Sequence, residues 1–307
     1  MRAFLLRRLL HAVFVIWGVV TVVFFLVRLT GDPTYFLVDQ SATQAEIAHA
    51  RAMLGLDRPL IVQYVDFLGS AARGDFGRSI REKRPALPMV LEHFWPATVE
   101  LAAAALLLST VLAVPLGVIS ATHRWRFADH LSRVASLFLQ SMPSFWLGIM
   151  LILLFAVMLG GLLPAYGTGT LKHLVLPAVA LAAAPLAQNV RLVRAGMLEV
   201  LGQDYVRTAR AKGVAERRVI YRHALRNAAL PVITVTGLSL GFMLSSAVII
   251  ETVFAWPGMG RLIVQAVPGR DFPVIQAGVF VFALVFVAIN LIVDLFYTVV
   301  DPRVRLT

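Results

Sequence analysis

The sequence predicts an all-α, polytopic membrane protein with six transmembrane helices and both termini on the cytoplasmic side. Three observations carry that expectation. First, 59% of the 307 residues are hydrophobic and only 15% are charged, where a soluble domain carries about a quarter charged residues. Second, the apolar excess is gathered into blocks of about 20 residues, the length that crosses about 30 Å of hydrocarbon. Third, the basic residues stand at the ends of those blocks. A membrane barrel would alternate apolar and polar residues over strands of about 10, and no block alternates.

The net charge of +11 and pI near 10.9 therefore orient spans rather than bind nucleic acid, and the lipid membrane is the first partner. Cysteine is absent, which excludes disulfides, zinc thiolates and a thiol nucleophile.

In chain order, a basic head with Arg2, Arg7 and Arg8 precedes the apolar run Leu9–Val27. That run is longer than a signal-peptide core and passes into Arg28 without an Ala-x-Ala, so a retained first span is expected. Residues 30–96 read as an extracytoplasmic loop with short helices. Thr43 and Glu46 fit a capping box opening a helix that stops at Gly55. Pro59 suits the start of a second helix, and Gly74–Gly77 reads as a turn. Leu101–Ile119 is the second span. His123–Arg133 is a basic loop. Val134–Leu159 is a third span, kinked at Ser141-Met142-Pro143-Ser144, where proline frees a carbonyl that protein or water must satisfy.

Leu174–Val193 is the fourth span and Leu230–Phe254 the fifth, with Gly237, Gly241 and Ser245 placing small residues on one face for close packing. Ile250–Leu262 forms an outer turn. The sixth span, Val274–Val300, carries Asn290 and Asp294, and an acid at that depth must face protein, water or a partner. Pro143, Asn290 and Asp294 are the candidates for a substrate path. With both ends inside, the cytoplasmic segments hold seventeen Lys and Arg and the two short outer loops three, which fixes the orientation.

Between the fourth and fifth spans lies the most informative stretch, DYVRTARAKGVAERRVIYRHALRNAALP from Asp204 to Pro231. Seven Arg and Lys stand there against Asp204 and Glu216, yet apolar residues recur at helical spacing. Gly213 interrupts them where a chain turning between two helices needs positive φ. A helix, a glycine turn and a second helix are expected.

These residues resemble the cytoplasmic loop of permease subunits of bacterial ATP-binding-cassette (ABC) importers. That signature reads Glu-Ala-Ala, three residues, Gly, nine residues, Ile-x-Leu-Pro. Here Arg207, Thr208 and Ala209 take the first places, Gly213 the glycine, and His223, Ala224, Leu225 and Arg226 the last. Ala209, Gly213 and Leu225 match outright. The strings YVRTARAKG and RHALRNAALP, with GDP at Gly31, LGLDRPL at Leu54, GDFGRS at Gly74 and IETVFAWPGMGRL at Ile250, resemble the branch that imports di- and oligopeptides, nickel chelates and glutathione.

The resemblance implies the type I ABC importer permease fold as a single domain over 1–307, in a bacterial inner membrane, with residues 195–229 as the coupling loop. It implies that Asp204, Tyr205, Arg207, Thr208, Ala209, Arg210, Lys212, Gly213, His223 and Arg226 dock into an ATPase, with Ala209 and Gly213 keeping the docking helix slim. The implied partners are two ABC ATPase subunits, a homologous second permease subunit and an extracytoplasmic solute-binding protein. ATP is then bound by the ATPase subunits, and this chain carries no cofactor.

The residues support that division. No GxxxxGK[ST] or HExxH occurs, so no phosphate cradle or zinc pair is encoded. No catalytic constellation and no metal site are expected, and the chain reads as a non-enzyme. The alternative is a self-sufficient secondary transporter or channel, which would show internal repeats or paired broken spans. A membrane scaffold such as a translocase subunit is a further alternative. Co-purification of an ATPase separates both from the importer.

Overall fold

The computed structural model describes residues 2–36, 38 and 42–300; the basic tail with Arg303 and Arg305 lies outside the described residues. The described helices are α1 (Arg2–Leu29), α2 (Gln44–Met53), α3 (Leu60–Ala71), α4 (Ala86–His93), α5 (Val99–Thr122), α6 (Phe127–Ser141), α7 (Ser144–Leu151, extended by a π turn through Met158), α8 (Leu171–Leu201), α9 (Asp204–Ala211), α10 (Glu216–Arg218, followed by a π turn over Val219–Ala224), α11 (Leu225–Val253), α12 (Met259–Ala266) and α13 (Phe272–Val300). Five of them, or six when α6 and α7 count as one bent span, are long and apolar enough to cross a membrane.

Two compact units emerge. The first comprises residues 1–98 and 257–288. Its local signals read as expected: Thr43 and Glu46 close a reciprocal capping box, Gly55 has φ +65°, and Pro59 is the N-cap of α3. Phe24 on α1 stacks on Phe67 of α3 at 5.1 Å. One turn on, Arg28 donates to Gln63 Oε1 at 3.0 Å. The core gathers Val27, Phe76, Met89, Val90, Met259, Phe272 and Val281. Ser79 Oγ donates to Asp271 Oδ2 at 2.5 Å, pinning the loop before α4 to the start of α13.

Three features of the fold depart from the sequence expectation. The segment 250–262 holds more than a turn, because α12 begins at Met259. The basic stretch 123–133 is partly helical, since α6 begins at Phe127. The third span is no kinked rod: α6 and α7 meet at 105°. Met142 is extended and Pro143 caps α7, so the chain changes direction where a lone proline kink would have continued it.

The second unit comprises residues 99–256 and, of the described residues beyond, those from 289. Its centre is the contact of α5 with α8. Without a hydrophobic drive between helices in lipid, small residues that let backbones approach decide such packing. Ala105, Ala113 and Gly117 on α5, and Ala180, Ala183 and Ala187 on α8, are buried. At Gly117 an added Cβ would lie 2.5 Å from Val193 Cβ and 2.9 Å from the Val190 carbonyl oxygen. Gly237 on α11 is similarly tight, 2.9 Å from Val293 Cγ2, so the small-residue face expected there serves packing.

Gly117→Ala is expected to destabilise by about 1–3 kcal/mol, because backbone must move to admit the methyl. Gly18→Ala on α1, with nothing within 4 Å, should be neutral or gain up to about 1 kcal/mol of helix propensity. Thermal unfolding of both variants in one detergent checks this; equal midpoints would count against the close α5–α8 contact.

Candidate functional site

The site is built where α8 leaves the second unit's core and the chain turns into α9. Helix α9 starts at Asp204 with Gln203 as its extended N-cap. Val206 and Ala209 turn inward and close a small core with Val219, against which Val200, Leu201 and Val214 pack. Ala209, expected on a docking face, is thus an internal spacer. The outward side carries Tyr205, Arg207, Thr208, Arg210 and Lys212, all exposed.

Gly213 has φ +74° and donates its N–H to Arg210 O at 2.9 Å, while Val214 N donates to Ala209 O at 3.2 Å. This is the left-handed helix stop that glycine makes without strain. The second helix of the expected pair is brief, because α10 runs through its π turn into α11. Across the glycine, Arg210 reaches Glu216 with Nη2 to Oε1 at 2.7 Å and Nε to Oε2 at 3.1 Å. The Arg210 hydrogen bonds hold the Glu216 carboxyl below its ordinary range. The clasp therefore persists at neutral pH and is lost only as pH falls through that lowered value. Arg207 lies 3.6 Å from Asp204. Asn227 Nδ2 donates to Tyr205 Oη at 2.7 Å, tying α9 to α11. His223 is half-buried in the π turn, and Arg226 is exposed at the start of α11.

Seven residues before α8 ends, Arg194 meets a carboxylate that sequence reading passed over. Asp129, fully buried, accepts from Arg194 Nε at 2.7 Å and Nη2 at 2.9 Å. Ser120 Oγ donates to it at 2.7 Å and Trp125 N at 3.0 Å. One carboxylate thus gathers the end of α5, the following turn, the start of α6 and α8. Charge counting assigned Arg194 to the cytoplasmic tally and left Asp129 in a loop; the only signal was a lone acid in a basic stretch.

At the far end of α6, the 105° bend opens a cavity of about 240 Å³ among the bend, α8 and α11. Its polar lining is Gln140, Ser144, Gln188, Ser239 and Ser246, without a charged group. Pro143 stands between two lining residues, Met142 and Ser144, whereas Asn290 and Asp294 do not line it; they lie half-buried on α13. The glutamines were legible only as polar residues within apolar spans. Among the described residues no group of His, Asp or Glu could hold a metal ion.

Comparison with known proteins accords with this geometry. Residues 113–306 match the family described as "Binding-protein-dependent transport system inner membrane component", and residues 1–102 match "Binding-prot-dependent transport system membrane comp, N-term". The dipeptide transport system permease protein DppB of Alkalihalophilus pseudofirmus is 40% identical, covering 99% of this chain and 100% of that protein. The glutathione transport system permease protein GsiC of Escherichia coli K12 is 40% identical over 98% of both. The di/tripeptide transport system permease protein DppB of Pseudomonas aeruginosa is 40% identical over 99% of both. A crystal structure of an amino acid ABC transporter with histidines superposes with a TM-score of 0.51 at 16% identity, covering 68% of this chain and 92% of that one, so the likeness is one of fold.

Removing one partner of a buried ion pair leaves the other charge uncompensated, whereas replacing both with apolar residues is often tolerated. Arg194→Gln or Asp129→Asn alone should therefore cost about 3–5 kcal/mol. Asp129→Leu combined with Arg194→Met should recover most of that loss. Thermal denaturation of the detergent-solubilised variants decides it; a double variant no better than the worse single one would refute the pair's role.

Proposed function

From the premise that this chain belongs to the family of binding-protein-dependent transport system inner membrane components and is a permease subunit of an ABC importer, we propose that it lines the path of a di- or oligopeptide, or a related small solute such as glutathione or a nickel chelate. The names of its relatives favour the peptide. An uncharged cavity edged by two glutamines and three serines suits that reading. Amide and hydroxyl groups exchange hydrogen bonds with any peptide backbone, and no fixed charge selects among side chains. Specificity then resides largely in the solute-binding protein.

The observation that carries the mechanism is the stiffness of the α9 loop. Its own core of Val206, Ala209 and Val219, the Arg210–Glu216 clasp and the Tyr205–Asn227 bond make it a lever joined directly to α8 and α11. We place α9, with Asp204, Tyr205, Arg207, Thr208, Arg210, Lys212 and Gly213 at its surface, in a cleft on an ATPase subunit, with His223 and Arg226 beside it. Ala209 supports that surface from within. Two such ATPase subunits bind ATP, a homologous second permease completes the path, and an extracytoplasmic binding protein delivers the solute in a bacterial inner membrane. Closure of the ATPase pair moves the lever and tilts the attached spans, converting a soluble rearrangement into alternating access.

Gly213 separates coupling from folding. Nothing lies within 4 Å of an added Cβ there, so a substitution acts through φ +74° alone. Asn tolerates that region and β-branched residues do not. Gly213→Val should lower uptake at least tenfold in reconstituted vesicles while the chain still inserts, and Gly213→Asn should stay near wild type. The same vesicles, supplied with binding protein and challenged with di- and oligopeptides, glutathione, nickel chelate or oligosaccharide, should show peptide-stimulated ATPase activity. Uptake by Gly213→Val at the wild-type rate would remove the lever, and stimulation by another solute class alone would remove the peptide.

A further inference from the structure

The arginines of the cytoplasmic loop fall into two populations. Arg207 and Arg210 are matched internally by Asp204 and Glu216. The next four, Arg217, Arg218, Arg222 and Arg226, are exposed and line one open bowl of about 590 Å³ together with Tyr221. The π turn over Val219–Ala224 widens the helix between the first pair and Arg226. No Asp or Glu occurs from residue 217 to residue 250, and Glu216 is already clasped by Arg210. The bowl therefore carries four positive charges whose counter-ions must come from outside this stretch.

Its depth says which counter-ion. Arg226 lies on α11 four residues before Leu230, where the apolar run starts, and α11 is helical through both. At 1.5 Å rise per residue that is about 6 Å along the axis, inside a Debye length at physiological salt. Tyr221, half-exposed in the same bowl, is a residue type that favours the membrane–water interface. Guanidinium forks match phosphate oxygens in geometry as well as charge. We propose that this bowl binds the phosphate headgroup of an anionic phospholipid of the cytoplasmic leaflet. The lipid anchors the start of α11 while the self-neutralised α9 remains available to its protein partner.

The test uses the full-length chain purified in neutral detergent and reads lipid binding as a saturable rise in unfolding temperature. This readout needs no ATPase and no solute, so it stands or falls separately from the proposed transport role. Phosphatidylglycerol is titrated against phosphatidylcholine of the same acyl chains and against inorganic phosphate. Phosphatidylglycerol alone should give the saturable shift. Arg217→Gln/Arg218→Gln/Arg222→Gln should weaken its apparent affinity at least tenfold, with an unfolding temperature in phosphatidylcholine unchanged from wild type. Arg124→Gln/Arg126→Gln/Arg133→Gln, all exposed and outside the bowl, removes the same three charges and should respond as wild type does. An equal response to both lipids, or an undiminished response in the bowl variant, overturns the site. An equal shift with inorganic phosphate overturns the lipid assignment. If the bowl variant loses a co-purifying ATPase while keeping its lipid response, the bowl is a protein contact and the proposal fails.

Discussion

The buried pair of Asp129 and Arg194 is the constraint on which the second unit depends. A carboxylate without any exposed surface is tolerable only with several donors. It has four contacts here, two from Arg194 and one each from Ser120 and Trp125. Those donors lie on α5, on the turn after it and on α8, so satisfying one charge fixes the meeting point of three chain segments. The bidentate fork also fixes orientation, which a single lysine contact would not. Arg194 stands seven residues before Leu201, about 10 Å along α8 at 1.5 Å per residue. Beyond Leu201 come only Gly202 and Gln203 before α9 begins. A displacement of α9 therefore reaches α6 through a short rigid rod and one charged joint.

From that joint α6 runs to the 105° bend whose residues line the small cavity. The other two walls come from α8 and α11, the helices that flank the α9 loop. Within this unit the α9 loop, the Asp129–Arg194 pair and the cavity are connected through α8, α6 and α11. The tight α5–α8 seam at Gly117 and Val193 works in the same direction. Side chains that short leave no room for sliding, so α5 and α8 move as one body.

Much of this organisation was legible from the residues, and the boundary of legibility is physical. Apolar block length, the Thr43–Glu46 capping box, the helix stop at Gly55 and the positive φ of Gly213 are local, and each appears as read. The 105° bend is not local. Pro143 with its neighbours marks a break, but the angle follows from what α8 and α11 offer on either side. Helix α12 hid because eight residues carry too little periodicity beside Trp256-Pro257-Gly258. The Asp129–Arg194 pair spans 65 residues of sequence, and a charge tally treats each arginine as facing water. Ala209 belongs to the docking set only through the resemblance; the burial of Val206 one turn earlier shows that this face is inward.

The internal pairing within α9 bears on how such a helix recognises a partner. Were Arg207 and Arg210 free, docking would draw on long-range attraction, which salt screens and which any acidic surface could satisfy. With Asp204 and Glu216 already beside them, the helix presents little net charge. Beside the paired Arg207 and Arg210, its outward groups are Tyr205, Thr208 and Lys212. Thr208 Oγ1 is itself engaged with Asp204 O at 2.9 Å, so the exposed methyl is what it offers. On the proposed docking, recognition rests on fit between this helix and a cleft more than on charge. Fit is the property that a lever needs, since a contact held by diffuse attraction would let the helix rotate under load. The same inward core that removes Ala209 from the surface supplies that stiffness. Within the loop, the arginines of α9 stand beside Asp204 and Glu216, whereas those from 217 to 226 have no acid on their own stretch.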